Sequence, residues 1–176
     1  MITVEEALKI VYAHLGHWGT EEIFLDQSLG RILQEEIVAD RDFPPFNRVT
    51  MDGIGLSFDQ FDKGQRVFEI KGVAPAGGLQ QELPDPSYCL EVMTGATVPI
   101  GIDVVVRYED LEILEGKATV RLSSLNRNQN IHFKGSDRHQ GSVILSPGKC
   151  ISASEVGVCA TVGKNKISVS RLPKTL

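Results

Sequence analysis

A chain of 176 residues is long enough for one large domain or two small ones. At that size folding buries roughly 70% of the unfolded surface, so stability requires neither disulfides nor a metal. The formal charge of −5 is unevenly spread. Residues 1–50 carry 9 acidic and 4 basic side chains, residues 51–115 carry 12 and 4, and residues 116–176 hold only Asp137 and Glu155 against 10 Lys and Arg. This asymmetry fits an anionic partner for the last third, acidic surfaces docked on basic ones within the fold or across a dimer, or a solvated face. Nucleic acid is disfavoured, because the acidic two-thirds repel phosphates and the basic third has no zinc-finger spacing or RNP-like aromatic run. No run approaches the ~20 apolar residues of a membrane span, and the start M-I-T-V-E-E-A-L lacks the basic head and apolar run of a signal peptide. Three widely spaced cysteines, Cys89, Cys150 and Cys159, read as free thiols in a reducing compartment, which makes a soluble cytoplasmic protein the expectation.

Thr3-Val4-Glu5-Glu6 fits a capping box, so a helix is expected to start there. Val4, Ala7, Leu8, Val11 and Leu15 follow along one face, and Gly16 is placed to be the left-handed residue that ends the helix. That apolar stripe needs a partner. His14 and His17 have a spacing that suits metal, but with no third ligand nearby they read as surface histidines at the helix's negative end. Residues 21–39 predict a short strand, a turn or short helix near Ser28 to Gly30, and another short strand.

The stretch Asp40 to Gly53, D-R-D-F-P-P-F-N-R-V-T-M-D-G, is the first informative one. Pro44 and Pro45 fix φ, remove N–H donors and keep their predecessors out of the helical region, so the chain is extended here. Asp52-Gly53 reads as a tight turn with a carboxylate at its tip, Asp52 bonding its own backbone two residues on. A functional loop and a rigid linker both fit this composition.

Ile54 to Phe58 continues as strand, Asp62 to Gly64 turns, and Val67 to Lys71 is a strand. Gly77-Gly78 and Leu83 to Ser87 are loops. Tyr88 to Met93 alternates as a strand and leads into Thr94-Gly95-Ala96-Thr97-Val98-Pro99-Ile100-Gly101, where a hydroxyl and consecutive amides around Gly95 and Ala96 suit an anion-accepting nest. Asp103 to Glu109 predicts a strand buried on both faces at its centre. Leu111 to Leu114 and Ala118 to Leu122, joined by Glu115-Gly116-Lys117, form a hairpin expected to be the backbone of the architecture. Residues 123–141 are a polar, basic loop with His132, Lys134, Arg138 and His139, suited to an oxyanion or simply solvated. Ser146-Pro147-Gly148 fits a type II turn. Ser152 to Glu155 fits a second capping box, but β-branched residues and Gly157 pull the segment up to Gly163 toward strand, so propensity leaves it open. Ile167 to Ser170 is a strand. No repeat, P-loop, dinucleotide fingerprint, zinc ligand set or Ser/His/Asp signature occurs.

Three stretches, in order, resemble the MoeA family of molybdopterin molybdenumtransferases, also found as the corresponding domain of gephyrin. P-P-F-N-R-V-T-M-D-G resembles P-P-F-D-N-S-A-M-D-G. M-T-G-A-T-V-P-I-G-I-D-V-V-V-R-Y-E resembles T-G-A-x-x-P-x-G-A-D-A-V-V-x-x-E. N-I-H-F-K-G-S-D-R-H-Q-G-S-V-I-L-S-P-G resembles N-x-R-x-x-G-E-D-x-x-x-G-x-x-L-x-x-G. Two departures stand out. Asn47-Arg48-Val49-Thr50 replaces Asp-Asn-Ser-Ala, removing a carboxylate and a small hydroxyl and adding a cation, and Gly135-Ser136-Asp137 replaces Gly-Glu-Asp.

The resemblance implies an α+β, β-rich, elongated region of bifurcated and coiled sheets with an N-terminal amphipathic helix at 1–20. It implies a discontinuous dimerisation part at 21–40 plus 140–176, an inserted β-rich domain at 41–139, and a short helix in the undecided segment. It implies a homodimer acting in molybdenum-cofactor assembly, where molybdate replaces AMP on adenylylated molybdopterin with Mg²⁺. Asp52 and Thr94 are then the catalytic candidates, Asp52 as a possible Mg²⁺ ligand, with Gly95, Ala96, Glu109, Lys134, Asp137 and Arg138 binding ligand. The family continues past Pro173 into a molybdopterin-binding domain, so the chain is expected to be a fragment that is inactive and cofactor-free alone. A non-catalytic dimerisation scaffold with altered loops at Arg48, Val49 and Ser136 is the alternative, and an independent small-anion binding domain a third reading.

Overall fold

A computed structural model describes residues 2–14, 16 and 18–173. In chain order the first elements are α1 (Val4–Ala13), β1 (Thr20–Phe24), β2 (Ile37–Val38), β3 (Arg48–Val49), β4 (Gly53–Leu56), α2 (Phe58–Asp62) and β5 (Val67–Ala74). They are followed by β6 (Tyr88–Val92), β7 (Val104–Arg107), β8 (Leu111–Leu114), β9 (Lys117–Val120), β10 (Ile131–His132), β11 (Val143–Leu145), α3 (Ala153–Thr161) and β12 (Lys166–Ser170). The chain forms two compact units, Met1–Asp40 with Gly141–Leu176, and Arg41–Gln140.

In the first unit, β1 pairs antiparallel with β12, and β2 with β11. Leu33, Ile37, Ile151, Cys159, Ile167 and Val169 form its buried core. The segment that propensity left open is the helix α3. Ser152 and Glu155 close its capping box, and Gly163, at φ 74°, follows the C-cap Val162. Two reciprocal cap bonds thus outweigh the β-branched residues. At α1 the Thr3–Glu6 capping box forms as expected, but the helix ends at Ala13 with His14 as its C-cap, before Gly16. His14 Nδ1–H donates to the Ile10 carbonyl (2.7 Å). Leu15 and His17 lie outside the described residues. No residue of α1 is buried.

The second unit is built on a six-stranded sheet in the order β7-β4-β6-β5-β9-β8, antiparallel except for the β5–β6 pair. Strand alternation divides its core between two faces. Ile54, Leu56, Phe68, Cys89, Val104 and Val106 pack on one side, and Leu90, Val92, Ala96, Ile102 and Val105 on the other. Val104 to Val106 are therefore buried on both faces, as the run of valines predicts.

Several local expectations are corrected here. β4 stops at Leu56, and Phe58 opens α2 instead of extending the strand, its N–H captured by the Asp103 carboxylate at 2.6 Å. β7 ends at Arg107 rather than Glu109. Residues Tyr108–Asp110 form a 3-10 turn, held by Arg107 donating Nε–H and Nη2–H to Asp110 Oδ2 at 3.0 and 2.9 Å. The hairpin β8–β9 has its two-residue turn, with Glu115 at φ 49° and Gly116 at φ 74°, the sign that the strands' right-handed twist favours. It lies at the sheet's edge, however, and the centre belongs to β6 and β5.

Part of the charge asymmetry is met by ion pairs within the fold. Lys164 and Lys166 pair with Glu35 and Glu22, Lys134 with Asp42, and Arg121 with Glu112. Arg127 reaches both Asp59 and Asp103. Basic side chains of the last third thus meet acidic ones from the first two.

Candidate functional site

The Asp40–Gly53 segment is the spine on which the other two informative stretches are laid. On one side, Val49 N–H donates to Ala96 O, Gly95 N–H to Val49 O, and Val98 N–H to Asn47 O, each at 2.9 Å. On the other, β3 pairs with β10, Gly135 N–H donates to Pro44 O (3.0 Å), Asp137 N–H to Phe43 O (2.9 Å), and Lys134 N–H to Asn47 Oδ1 (2.9 Å). Pro44 and Pro45 have no N–H to donate, so they can meet the neighbouring loop only through carbonyl acceptors, as Pro44 O does. Asn47 thereby serves both flanking loops, its carbonyl one and its side chain the other.

Asp52 does not bond its own turn. Its Oδ1 accepts the Thr94 backbone N–H at 2.7 Å. The Thr94 amide, and then the Thr94 hydroxyl, hold this carboxyl below the usual carboxylate range, so it is ionised at neutral pH. Gly53 is not a left-handed turn residue either. A Cβ placed there would lie 1.9 Å from the Val106 carbonyl oxygen, so glycine is required by the close approach of β7.

The expected backbone nest is not formed. Thr94 N–H goes to Asp52, Gly95 N–H to Val49 O and Ala96 N–H to Met93 O. All three amides are spent within the protein, and Ala96 is buried. Gly95, at φ 90°, allows the turn that makes those bonds.

Met51, Asp52, Thr94, Arg107, Tyr108 and Glu109 line one cleft of about 280 Å³. Asp52, Thr94 and Glu109, distant in sequence, are thus brought together. Arg107 and Tyr108 were not singled out by the sequence reading, although the abrupt change from three valines to Arg-Tyr-Glu-Asp marks the strand's exit. Tyr108 N–H donates to Asp52 O (3.2 Å), and its phenol, 3.4 Å from Glu91 Oε1, is pushed up by burial and by Glu91. Lys134, Asp137 and Arg138 lie along the other side of β3 and do not line this cleft. Lys134 pairs with Asp42 (3.5 Å), Asp137 accepts from His132 (2.9 Å), and Arg138 Nη1–H donates to the Asp137 carbonyl (3.2 Å). Asp42, the acceptor of Gln140 N–H and partner of Lys134, is held below its ordinary range. A second cleft, about 190 Å³ and lined by Gly16, Trp18, Gly19, Thr20, Gln34 and Ser170, carries no titratable side chain.

The sequence pattern of the family described as MoeA N-terminal region (domain I and II) matches residues 2–163. This chain belongs to the MoeA N-terminal-region family. It is 37% identical over 99% of its length to a molybdopterin molybdenumtransferase of Synechocystis and 34% identical over 98% to one of Staphylococcus epidermidis. The fold matches the solved molybdopterin biosynthesis moeA protein of Pyrococcus horikoshii OT3 with a TM-score of 0.85 and 28% identity, over 94% of this chain and 45% of that one. The expected α+β, β-rich architecture is therefore that of MoeA structures. The chain spans less than half the length of the curated relatives it matches, 45% and 42% of these two. All three stretches that carried the resemblance lie within the family match, and the fold assembles them around β3. Among the described residues no group of three His, Cys, Asp or Glu side chains is arranged to hold a metal, and no helix is long and apolar enough to cross a membrane.

Proposed function

We propose that this region is the N-terminal part of a molybdopterin molybdenumtransferase of molybdenum-cofactor biosynthesis, in which molybdate replaces AMP on adenylylated molybdopterin, and that it supplies a wall of the active site and a dimer interface. The observation that carries the reading is the Asp52–Thr94 bond, which fixes an ionised carboxylate on the same cleft as Glu109.

That arrangement suits Mg²⁺, which takes one or two carboxylates and fills the rest of its shell with water and substrate oxygens. Asp52 and Glu109 would hold it, and when bound it neutralises charge on phosphate and molybdate oxygens. The protein's own part is positional. Thr94 orients Asp52, and Tyr108 ties its backbone to the Asp52 carbonyl. The loop carrying Lys134, Asp137 and Arg138 presents its charged side chains beyond β3. The remainder of the substrate contacts is assigned to the part of the longer protein beyond this chain, and the exposed apolar stripe of α1 to a second copy.

The test is Asp52→Asn in a full-length protein, since Asn keeps an oxygen for the Thr94 amide and removes only the charge. Molybdenum insertion into adenylylated molybdopterin is expected to fall by about 10²-fold or more, the scale of a lost electrostatic contact in an active site. Unchanged turnover sinks the assignment.

A further inference from the structure

We propose that Arg48 and His132 form a directed hydrogen-bonded relay that positions the Asp137 carboxylate. The proposal rests on the function above only in giving the Asp137 loop, which lies across β3 from the Asp52 cleft, a part in binding substrate.

Arg48 and His132 are direct cross-strand partners on β3 and β10. Arg48 Nη2 lies 3.3 Å from His132 Nδ1, and His132 Nε2 lies 2.9 Å from Asp137 Oδ1. A guanidinium has only donors and an ionised carboxylate only acceptors. His132 Nδ1 therefore accepts from Arg48, and the neutral ring carries its proton on Nε2 and donates it to Asp137. Each ring nitrogen has one role, and the donors run from Arg48 through His132 to Asp137. A histidine flanked in this way is fixed in both tautomer and orientation.

The relay matters because the Asp137 side chain is 56% exposed, and an exposed carboxylate without a partner samples several rotamers. Its backbone is already pinned through Phe43. With the relay, the side chain is set from the same Asp40–Gly53 segment. Both residues of the pair differ from the family pattern. The family pattern quoted above has Asn at position 48 and Arg at position 132, whereas this chain has Arg48 and His132. Arg48 supplies a guanidinium from β3 across the β-bridge, and the imidazole on β10 passes a donor on to Asp137. Arg48 and His132 are positioning residues.

The geometry is tested on this chain by long-range ¹H–¹⁵N NMR of the His132 ring. The Nε2–H tautomer is expected, converting to a tautomer mixture in Arg48→Met; an Nδ1–H tautomer in the unmodified chain overturns the relay. In a full-length protein, Arg48→Met and His132→Leu are each expected to lower molybdenum insertion on the order of 10-fold, with the double variant no worse than either single. His132→Gln, which both accepts and donates, and the exchange Arg48→Asn with His132→Arg are expected to recover activity. Losses that add, or no loss, overturn the positioning role. Asp52→Asn run alongside separates the two ideas. If it is inactive while the relay variants match the unmodified protein, the relay fails and the proposed function stands. If Asp52→Asn retains full turnover, the proposed function fails, and the ring tautomer still decides the relay.

Discussion

The Asp52 carboxylate accepts the Thr94 backbone N–H at 2.7 Å, closing a bond between residues 42 apart in the chain. Because the Thr94 amide and hydroxyl lower the Asp52 pKa, the bond's contribution is fully present above the carboxyl's ordinary value of 3.8. It is lost as pH falls through the lower folded value. The Thr94 amide shift, followed by NMR across the acid range, is expected to titrate with a midpoint below 3.8 in the unmodified chain. It should be flat in Asp52→Asn. A midpoint at or above 3.8 would mean that the carboxylate is not held by Thr94.

Gly53 and Gly157 make a controlled pair. A Cβ at Gly53 meets the Val106 carbonyl oxygen at 1.9 Å, whereas a Cβ at Gly157 in α3 meets nothing within 4 Å. Gly53→Ala is expected to part β4 from β7 and to destabilise by at least the upper end of the roughly 1–3 kcal/mol usual for overpacking. Gly157→Ala is expected to stabilise by about 0.5–1 kcal/mol through helix propensity. Urea denaturation measures both, and equal effects would contradict the close approach at β4.

Ser152 accepts the Ser154 N–H, and Glu155 returns a bond to Ser152 N–H at 2.9 Å. Ser152→Ala is expected to cost about 1 kcal/mol. The Ser152 hydroxyl, then its amide, hold Glu155 below its ordinary 4.5. The cap's electrostatic share is therefore present above pH 4.5 and fades as pH falls through the lower folded value. The difference between the unmodified chain and Ser152→Ala should accordingly shrink in acid, as read from denaturation at pH 7 and pH 3.

What was legible in the sequence was what local chemistry decides. Thr3 and Glu6, Ser152 and Glu155, Glu115-Gly116, and the valine run before Arg107 each specify a cap, a turn or a buried strand within a few residues. The rest depended on partners far along the chain. Asp52-Gly53 read as a self-contained turn, but the carboxylate's donor is Thr94 and the glycine's reason is Val106. The amides at Gly95 and Ala96 looked available to an anion because Val49 and Met93 could not be seen competing for them. Phe58 read as strand because nothing local announces that Asp103 will take its N–H. At α3, propensity and capping pointed opposite ways, and only the family pattern chose correctly beforehand. The site residues divide in the same manner. Asp52 and Thr94 stand out by turn and loop chemistry, His132 by its cationic loop and Glu109 by the family pattern, while Arg107 and Tyr108 become visible only once the strands have placed them.

Helix α1 buries none of its residues, and Val4, Leu8 and Val11 are 79%, 48% and 57% exposed. A ten-residue helix in water is marginal on propensity and one capping box alone, so an amphipathic helix of this length ordinarily draws its stability from packing its apolar stripe. If that stripe lies against a second copy, as proposed, Leu8→Glu places a charge in the interface and is expected to shift sedimentation from dimer to monomer. The melting of the six-stranded sheet unit, to which α1 does not belong, should stay unchanged. Surface substitutions that touch nothing ordinarily stay within about 0.5 kcal/mol, so a monomer–dimer shift at constant sheet stability isolates the interface. An unmodified chain that sediments as a monomer at micromolar concentration, or a Leu8→Glu variant that remains dimeric, removes α1 from the dimer proposal.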